Sequence, residues 1–293
     1  NPFTSDSIND GISAMSENIS DIATSINAHA SDSKQTALPQ GYKRNVVDYV
    51  YDKQGNLLKD GNAEYSYDLF NRLEKAETFN GDVQKNRYDA EGLRHEMEEN
   101  GRLVQFLYSG KEVVAEKEDD GNVIRYIRGY QLISSDNEKA KVYYHYASDE
   151  MGSITHVVEK AKVLNRYEYD AFGNTNVCEE QVSNRFRFAG QQYDTVTGQY
   201  YLRARYYNPV IGRFLQEDNY YGDGLNLYAY CRNNPVSYVD PSGHGTESAA
   251  TKHTDPNNAK NSQDLLDLIN EMNNTSGATA DDIATLRSLA EEF

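Results

Sequence analysis

Turn signals recur through residues 41–243 at intervals of roughly 8 to 12 residues, and no other feature constrains the fold as tightly. They are Asp52-Lys-Gln-Gly55, Asp60-Gly61, Asp68-Leu-Phe-Asn71, Asn80-Gly81, Asp89-Ala-Glu-Gly92, Asn100-Gly101 and Asp120-Gly121. In the Asp-x-x-Gly form the carboxylate caps backbone N–H groups at the head of a type I turn, and Gly accepts positive φ at its end. The Asp-Gly and Asn-Gly forms suit two-residue type I′ hairpins. Breaks this frequent leave no room for long helices. They demand short strands that fold back on one another.

The segments between turns alternate in strand fashion. Tyr49 and Tyr51 share a face, as do Tyr167 and Tyr169, and Phe186 and Phe188 oppose Arg185 and Arg187. The chain carries 24 Tyr and no Trp among 293 residues. Tyr suits a pleated, half-buried surface because its ring packs while its hydroxyl stays polar. The expected architecture is therefore mainly β, an antiparallel meander.

Both ends differ from this region. In residues 1–40, Ile8, Ile12, Met15, Ile19, Ile22 and Ile26 recur at alternating spacings of four and three, the seam of an amphipathic helix followed by a linker. Residues 245–293 lack Tyr and read as two short amphipathic helices, through Leu265–Met272 and Ile283–Phe293. No stretch approaches the roughly 20 apolar residues of a membrane span, and no signal peptide opens the chain. Because the chain opens on Asn1, it is expected to be a fragment or a processed product. A formal charge of -17 argues against non-specific nucleic-acid binding. The six His and two Cys (Cys178 and Cys231) show no metal-ligand spacing, and no phosphate loop occurs, so no metal or cofactor is expected.

Tyr-Asp heads four of the units, at Tyr51-Asp52, Tyr67-Asp68, Tyr88-Asp89 and Tyr169-Asp170. This pattern resembles the YD repeat of Rhs proteins, teneurins and the C subunits of insecticidal toxin complexes. A second resemblance is carried by Arg203-Ala-Arg-Tyr-Tyr-Asn-Pro-Val-Ile-Gly-Arg-Phe-Leu-Gln-Glu-Asp218, with Gly224-Leu-Asn-Leu-Tyr-Ala-Tyr230, Asn233-Asn-Pro235 and Asp240-Pro-Ser-Gly243. It looks like the Rhs repeat-associated core domain. The two resemblances together cover residues 41–243. They imply a spiral β-shell over 41–184 and a core domain over 185–244 that plugs one end. The helical segments 1–40 and 245–293 flank them. About 200 residues of repeat are too few to close a shell, so upstream repeats are an expected partner.

In that family the chain cleaves itself just after Asp-Pro-x-Gly and frees the segment that follows inside the shell. By motif, Arg205 matches the family arginine, Asp218 the first aspartate and Asp240 the second. The implied activity is a single-turnover aspartyl autoprotease cutting at His244–Gly245 or one bond away. Such a site works because two close carboxylates share a proton and divide the roles of base and acid. An arginine beside them favours the ionised form of one or holds the developing oxyanion. The same residues also suit plainer roles. Asp240-Pro-Ser-Gly243 makes a turn on its own, Asp218 can cap a loop, and Arg205 can lie on a strand beside Arg203. Two positions depart from the family pattern: Asn219 stands where Pro is frequent, and His244 where Leu is common.

The resemblance further implies a secreted or cell-surface polymorphic toxin, exported by a signal outside this fragment, with residues 245–293 as enclosed cargo and an immunity protein as a possible partner. Those 49 residues hold 3 Lys+Arg against 9 Asp+Glu and no catalytic constellation, so they read as a truncated effector or linker. The competing reading is a non-catalytic adhesion module that binds carbohydrate.

Overall fold

The computed structural model describes residues 48–248, apart from 130, 161 and 223. The expected N-terminal helix, and the C-terminal helices beyond residue 248, lie outside the described residues. Among the described residues, fourteen strands from Val50–Tyr51 to Thr175–Glu180 form one sheet. Each pairs antiparallel with the next, in chain order. This is the meander that the turn spacing demands. No α-helix occurs among the described residues.

One turn design generates most of it. At Asp52, Asp68, Asp89, Asp149 and Asp170, the carbonyl accepts the N–H three residues on, and the N–H donates to the carbonyl four residues on. The first carboxylate oxygen of each caps the turn from inside, as Asp170 does for Phe172 and Asn174 (both 2.9 Å). The closing residue takes positive φ: Gly at four of the turns and Asn71 (φ 61°) at the fifth. A type I turn followed by one left-handed residue is the three-residue hairpin loop.

Three of the four short turns depart from the type I′ expectation. Asn80-Gly81 and Asp120-Gly121 adopt this same three-residue loop, with only the glycine at positive φ. Only Asn100-Gly101 has both residues there, at 51° and 85°, as a type I′ turn requires. The loop after Asp60 is held instead by the carboxylate, which accepts the N–H groups of Asn62 (2.7 Å) and Ala63 (2.9 Å).

The tyrosine preceding the turn has its own task. Tyr67, Tyr88 and Tyr169 each end a strand and donate their hydroxyls to the carbonyls of Leu57, Leu73 and Ile154, all at 2.8 Å. Those acceptors each open the neighbouring strand, five residues after the preceding turn aspartate. Tyr108 does the same toward Arg94 (3.0 Å) without an aspartate after it. Tyr-Asp thus couples two functions: Tyr closes the open end of one hairpin, and Asp begins the next.

After the long sheet the chain turns through Arg185–Gln191, where alternation fails. Phe186 and Phe188 are buried, but Arg187 is buried too, and Ala189 beyond them adopts a left-handed φ of 51°. The Arg187 guanidinium stacks 4.3 Å from the Tyr193 ring centroid and pairs with Glu180 at 3.0 Å. A four-stranded sheet follows, built from Gln192–Asp194, Gln199–Leu202, Arg205–Asn208 and Arg213–Phe214. Both faces of it are apolar. Tyr200 and Tyr207 pack with Phe214, Tyr230 and Val239. Their paired neighbours Tyr201 and Tyr206 pack with Leu57, Tyr65 and Leu73 of the long sheet. Side chains alternate across a strand, so consecutive tyrosines serve two cores.

Candidate active site

Arg205 opens the third strand of the small sheet, and its side chain is buried. A buried guanidinium needs compensation, since removal from water costs several kcal/mol unless it is paired. Its Nη2 lies 2.6 Å from Asp218 Oδ2 and 3.9 Å from Asp240 Oδ2. Nη1 donates to the Leu227 carbonyl at 2.9 Å, and Nε donates to the Gly243 carbonyl. The plane stacks on Phe214 at 3.7 Å from the ring centroid. The fork geometry that distinguishes Arg from Lys is used on every side.

Asp218 arrives on the segment after the last strand of the sheet. Its N–H donates to Leu227 (3.0 Å), tying together the ends of the loop 219–226. Its Oδ1 accepts the Tyr220 N–H at 2.9 Å and lies 2.8 Å from His244 Nδ1. Asp240 heads the turn through Gly243. Its Oδ1 accepts the N–H groups of Ser242 (3.1 Å) and Gly243 (2.8 Å), which leaves Oδ2 turned toward Arg205.

All three motif residues therefore converge, and Asp218 and Asp240 also make the loop and turn contacts their sequence suggests. The plainer location for Arg205, on a strand facing solvent, does not hold. Arg203 lies in the turn before that strand, at a φ of 64°, and reaches Gln191 (2.7 Å) and the carbonyl of Lys111 (3.0 Å).

The charges inside the cluster are unequal. One buried guanidinium neutralises one carboxylate, and the close pair is Arg205–Asp218. Burial pushes the Asp240 carboxyl above its ordinary range, against the two backbone hydrogen bonds and the more distant Arg205, which pull it down. A carboxylate held by Arg beside a carboxyl inclined to keep its proton is the electrical arrangement of a base and an acid.

Gly243 is required at its place. Its φ is 79°, and a Cβ there would lie 2.3 Å from the Leu202 carbonyl oxygen and 3.0 Å from the Arg205 N. The turn thus presses directly against the strand that supplies Arg205, and His244 and Gly245 follow at the edge of the cluster. Sequence reasoning missed the Leu227 carbonyl, the Phe214 ring and the His244 imidazole as parts of the site. Only the unusual His after Gly243 was visible beforehand.

A sequential meander of Tyr-closed hairpins, joined to a small Tyr-rich sheet with an arginine between two aspartates, defines a YD-repeat protein of the Rhs kind. The teneurin YD-shell family model matches residues 40–236, and the chain belongs to that family. It is 39% identical over 219 residues to the tRNA3(Ser)-specific nuclease WapA of Bacillus spizizenii, covering 69% of this chain and 9% of that protein. It is 30% identical over 211 residues to the double-stranded DNA deaminase toxin A of Burkholderia cenocepacia, covering 68% of this chain and 14% of that protein. Its fold is similar to the crystal structure of TcdB2-TccC3, with a TM-score of 0.56 at 21% identity, covering 66% of this chain and 11% of that one. The chain thus spans about a tenth of the length of these proteins.

Proposed function

We propose that this chain is the self-processing end of an Rhs-type toxin, cutting its own backbone at His244–Gly245 to release the segment beyond. The observation that carries the reading is Arg205. One buried side chain touches Asp218, the Gly243 carbonyl beside the cut and, more distantly, Asp240. Residues from three separate motifs meet within one residue of the proposed bond.

The chemistry follows from the unequal carboxylates. Asp218, paired with Arg205, takes a proton from water as the water oxygen bonds to the His244 carbonyl carbon. The C–N bond to Gly245 breaks, and the Asp240 proton passes to the departing amine. Water is consumed, and no cofactor takes part. Arg205 Nε, already on the adjacent carbonyl, fixes the segment in register. Because the bond belongs to the same chain, proximity replaces binding, and one turnover suffices.

Residues 245–293 would be cargo held inside the shell, upstream YD repeats would complete its wall, and an immunity protein would guard the producing cell. Secretion or cell-surface display accords with this reading. Among the described residues no helix is long and apolar enough to cross a membrane.

Intact mass of the chain and of Asp240→Asn tests the cut. A fragment beginning at or beside Gly245, absent from Asp240→Asn, is the expected result. The test uses both this chain and the full-length protein with its upstream repeats. A single uncut mass in both would sink the reading.

A further inference from the structure

The mechanism above leaves one contact unused. His244 Nδ1 lies 2.8 Å from Asp218 Oδ1, at the residue that supplies the carbonyl of the proposed cut. Asp218 is otherwise occupied by Arg205 on Oδ2 and by the Tyr220 N–H on Oδ1. A carboxylate oxygen offers about two acceptor directions. With His244 and Tyr220 in place, Oδ1 is filled. Oδ2 faces Arg205 Nη2, the atom that also lies 3.9 Å from Asp240 Oδ2. The imidazole therefore holds Asp218 by Oδ1, while Oδ2 faces the Arg205 guanidinium that Asp240 also approaches.

The backbone around His244 is held as well. Its N–H donates to Ser242 Oγ at 3.2 Å, and the Gly245 N–H donates to the same hydroxyl at 3.3 Å. The residue is thus fixed by main chain on one side and by side chain on the other. A leucine at this position would keep the first restraint and lose the second.

We propose that His244 is a positioning residue of this site: its imidazole donates Nδ1–H to Asp218 Oδ1 and anchors the His244–Gly245 bond against the carboxylate pair. The assignment rests on the self-cleavage reading. The charged groups around the ring are Asp218 in direct contact, Arg205 behind Asp218, and Asp240 across the Arg205 guanidinium.

Two substitutions separate the roles. His244→Asn keeps a short N–H donor that can reach Asp218 but cannot take a proton. His244→Leu keeps bulk and loses the donor. The rate of fragment appearance, followed by intact mass across pH, should fall tenfold or more in His244→Leu and by less than threefold in His244→Asn. A His244→Leu chain that cuts at the wild-type rate overturns the assignment.

A second readout does not need the cut. In the full chain carrying Asp240→Asn, nitrogen-15 NMR of the imidazole reports which ring nitrogen holds the proton. A proton on Nδ1 is expected, moving toward the Nε2 form when Asp218→Ala is added. A ring that is Nε2-protonated while Asp218 is intact overturns the assignment even where no cleavage occurs. Absence of cleavage with the Nδ1 proton present would instead count against the protease reading alone.

Discussion

Asp240 is buried, and burial favours its uncharged form. The sign for stability follows from linkage. A carboxyl whose folded-state pKa lies above its unfolded value binds its proton more tightly when native. Its contribution is therefore fullest below the unfolded carboxylate range and is lost as pH rises through the raised folded value. At neutral pH the ionised form opposes folding. Asp240→Asn, which keeps the Oδ1 acceptor for Ser242 and Gly243, should be more stable than the parent at pH 7, and the gap should close toward about pH 3. Urea melts followed by tyrosine emission at several pH values measure this. A variant less stable at pH 7 would mean that Arg205, not burial, governs the group. Gly243→Ala should do the opposite at every pH. Its Cβ would meet the Leu202 carbonyl in a left-handed backbone, costing on the order of 1–3 kcal/mol and dislodging the Gly243 carbonyl from Arg205.

The hairpin is the scale at which tyrosine and aspartate become a motif. Tyr88→Phe removes a hydroxyl whose partner, the Leu73 carbonyl, also accepts from the buried Asn86 side chain at 3.1 Å. That carbonyl keeps one partner, so a loss of about 1 kcal/mol is expected by urea melt. Tyr169→Phe, at Ile154, should cost as much or more. The turns were legible because their requirements are local: a short side-chain acceptor at the start and a residue tolerant of positive φ at the end. Asp149-Glu-Met-Gly152 meets them without a preceding Tyr, which is why a search by Tyr-Asp passed over it. The type I′ expectation at Asn80-Gly81 and Asp120-Gly121 failed because a dipeptide does not reveal loop length. One added loop residue leaves Asn80 and Asp120 in ordinary conformations. Arg205, Asp218 and Asp240 were readable through motif alone. Their contacts with Phe214, Leu227 and His244 join segments that no local pattern connects.

Across the whole molecule, one buried ion pair ties the long sheet to the small one. Arg94 and Asp194 are both fully buried and meet in a two-pronged contact, Nη1 to Oδ2 at 2.5 Å and Nη2 to Oδ1 at 3.0 Å. Gln84 donates to the same carboxylate at 2.7 Å, while Gln192 and Tyr206 accept from Arg94 at 2.8 and 2.9 Å. Tyr201 stacks on the guanidinium at 4.4 Å and accepts the Arg94 N–H at 2.9 Å. Asp194 follows Tyr193, so it is a further Tyr-Asp pair, yet its carboxylate answers a cation a hundred residues away instead of capping a turn. Because the small sheet also carries Arg205, this pair holds the candidate site in place as well as the fold. Removing either partner strands the other charge in the core. Arg94→Met and Asp194→Asn should each cost about 3–5 kcal/mol. The double variant should recover part of that loss, since an apolar side chain beside a neutral amide leaves no bare charge. If the two single losses simply added, the pair would be two independent packing groups. If Asp194→Asn also slowed backbone cleavage while Asp68→Asn, at an outer turn, did not, then strain at this junction reaches the Arg205 strand, and the site depends on the docking of the two sheets.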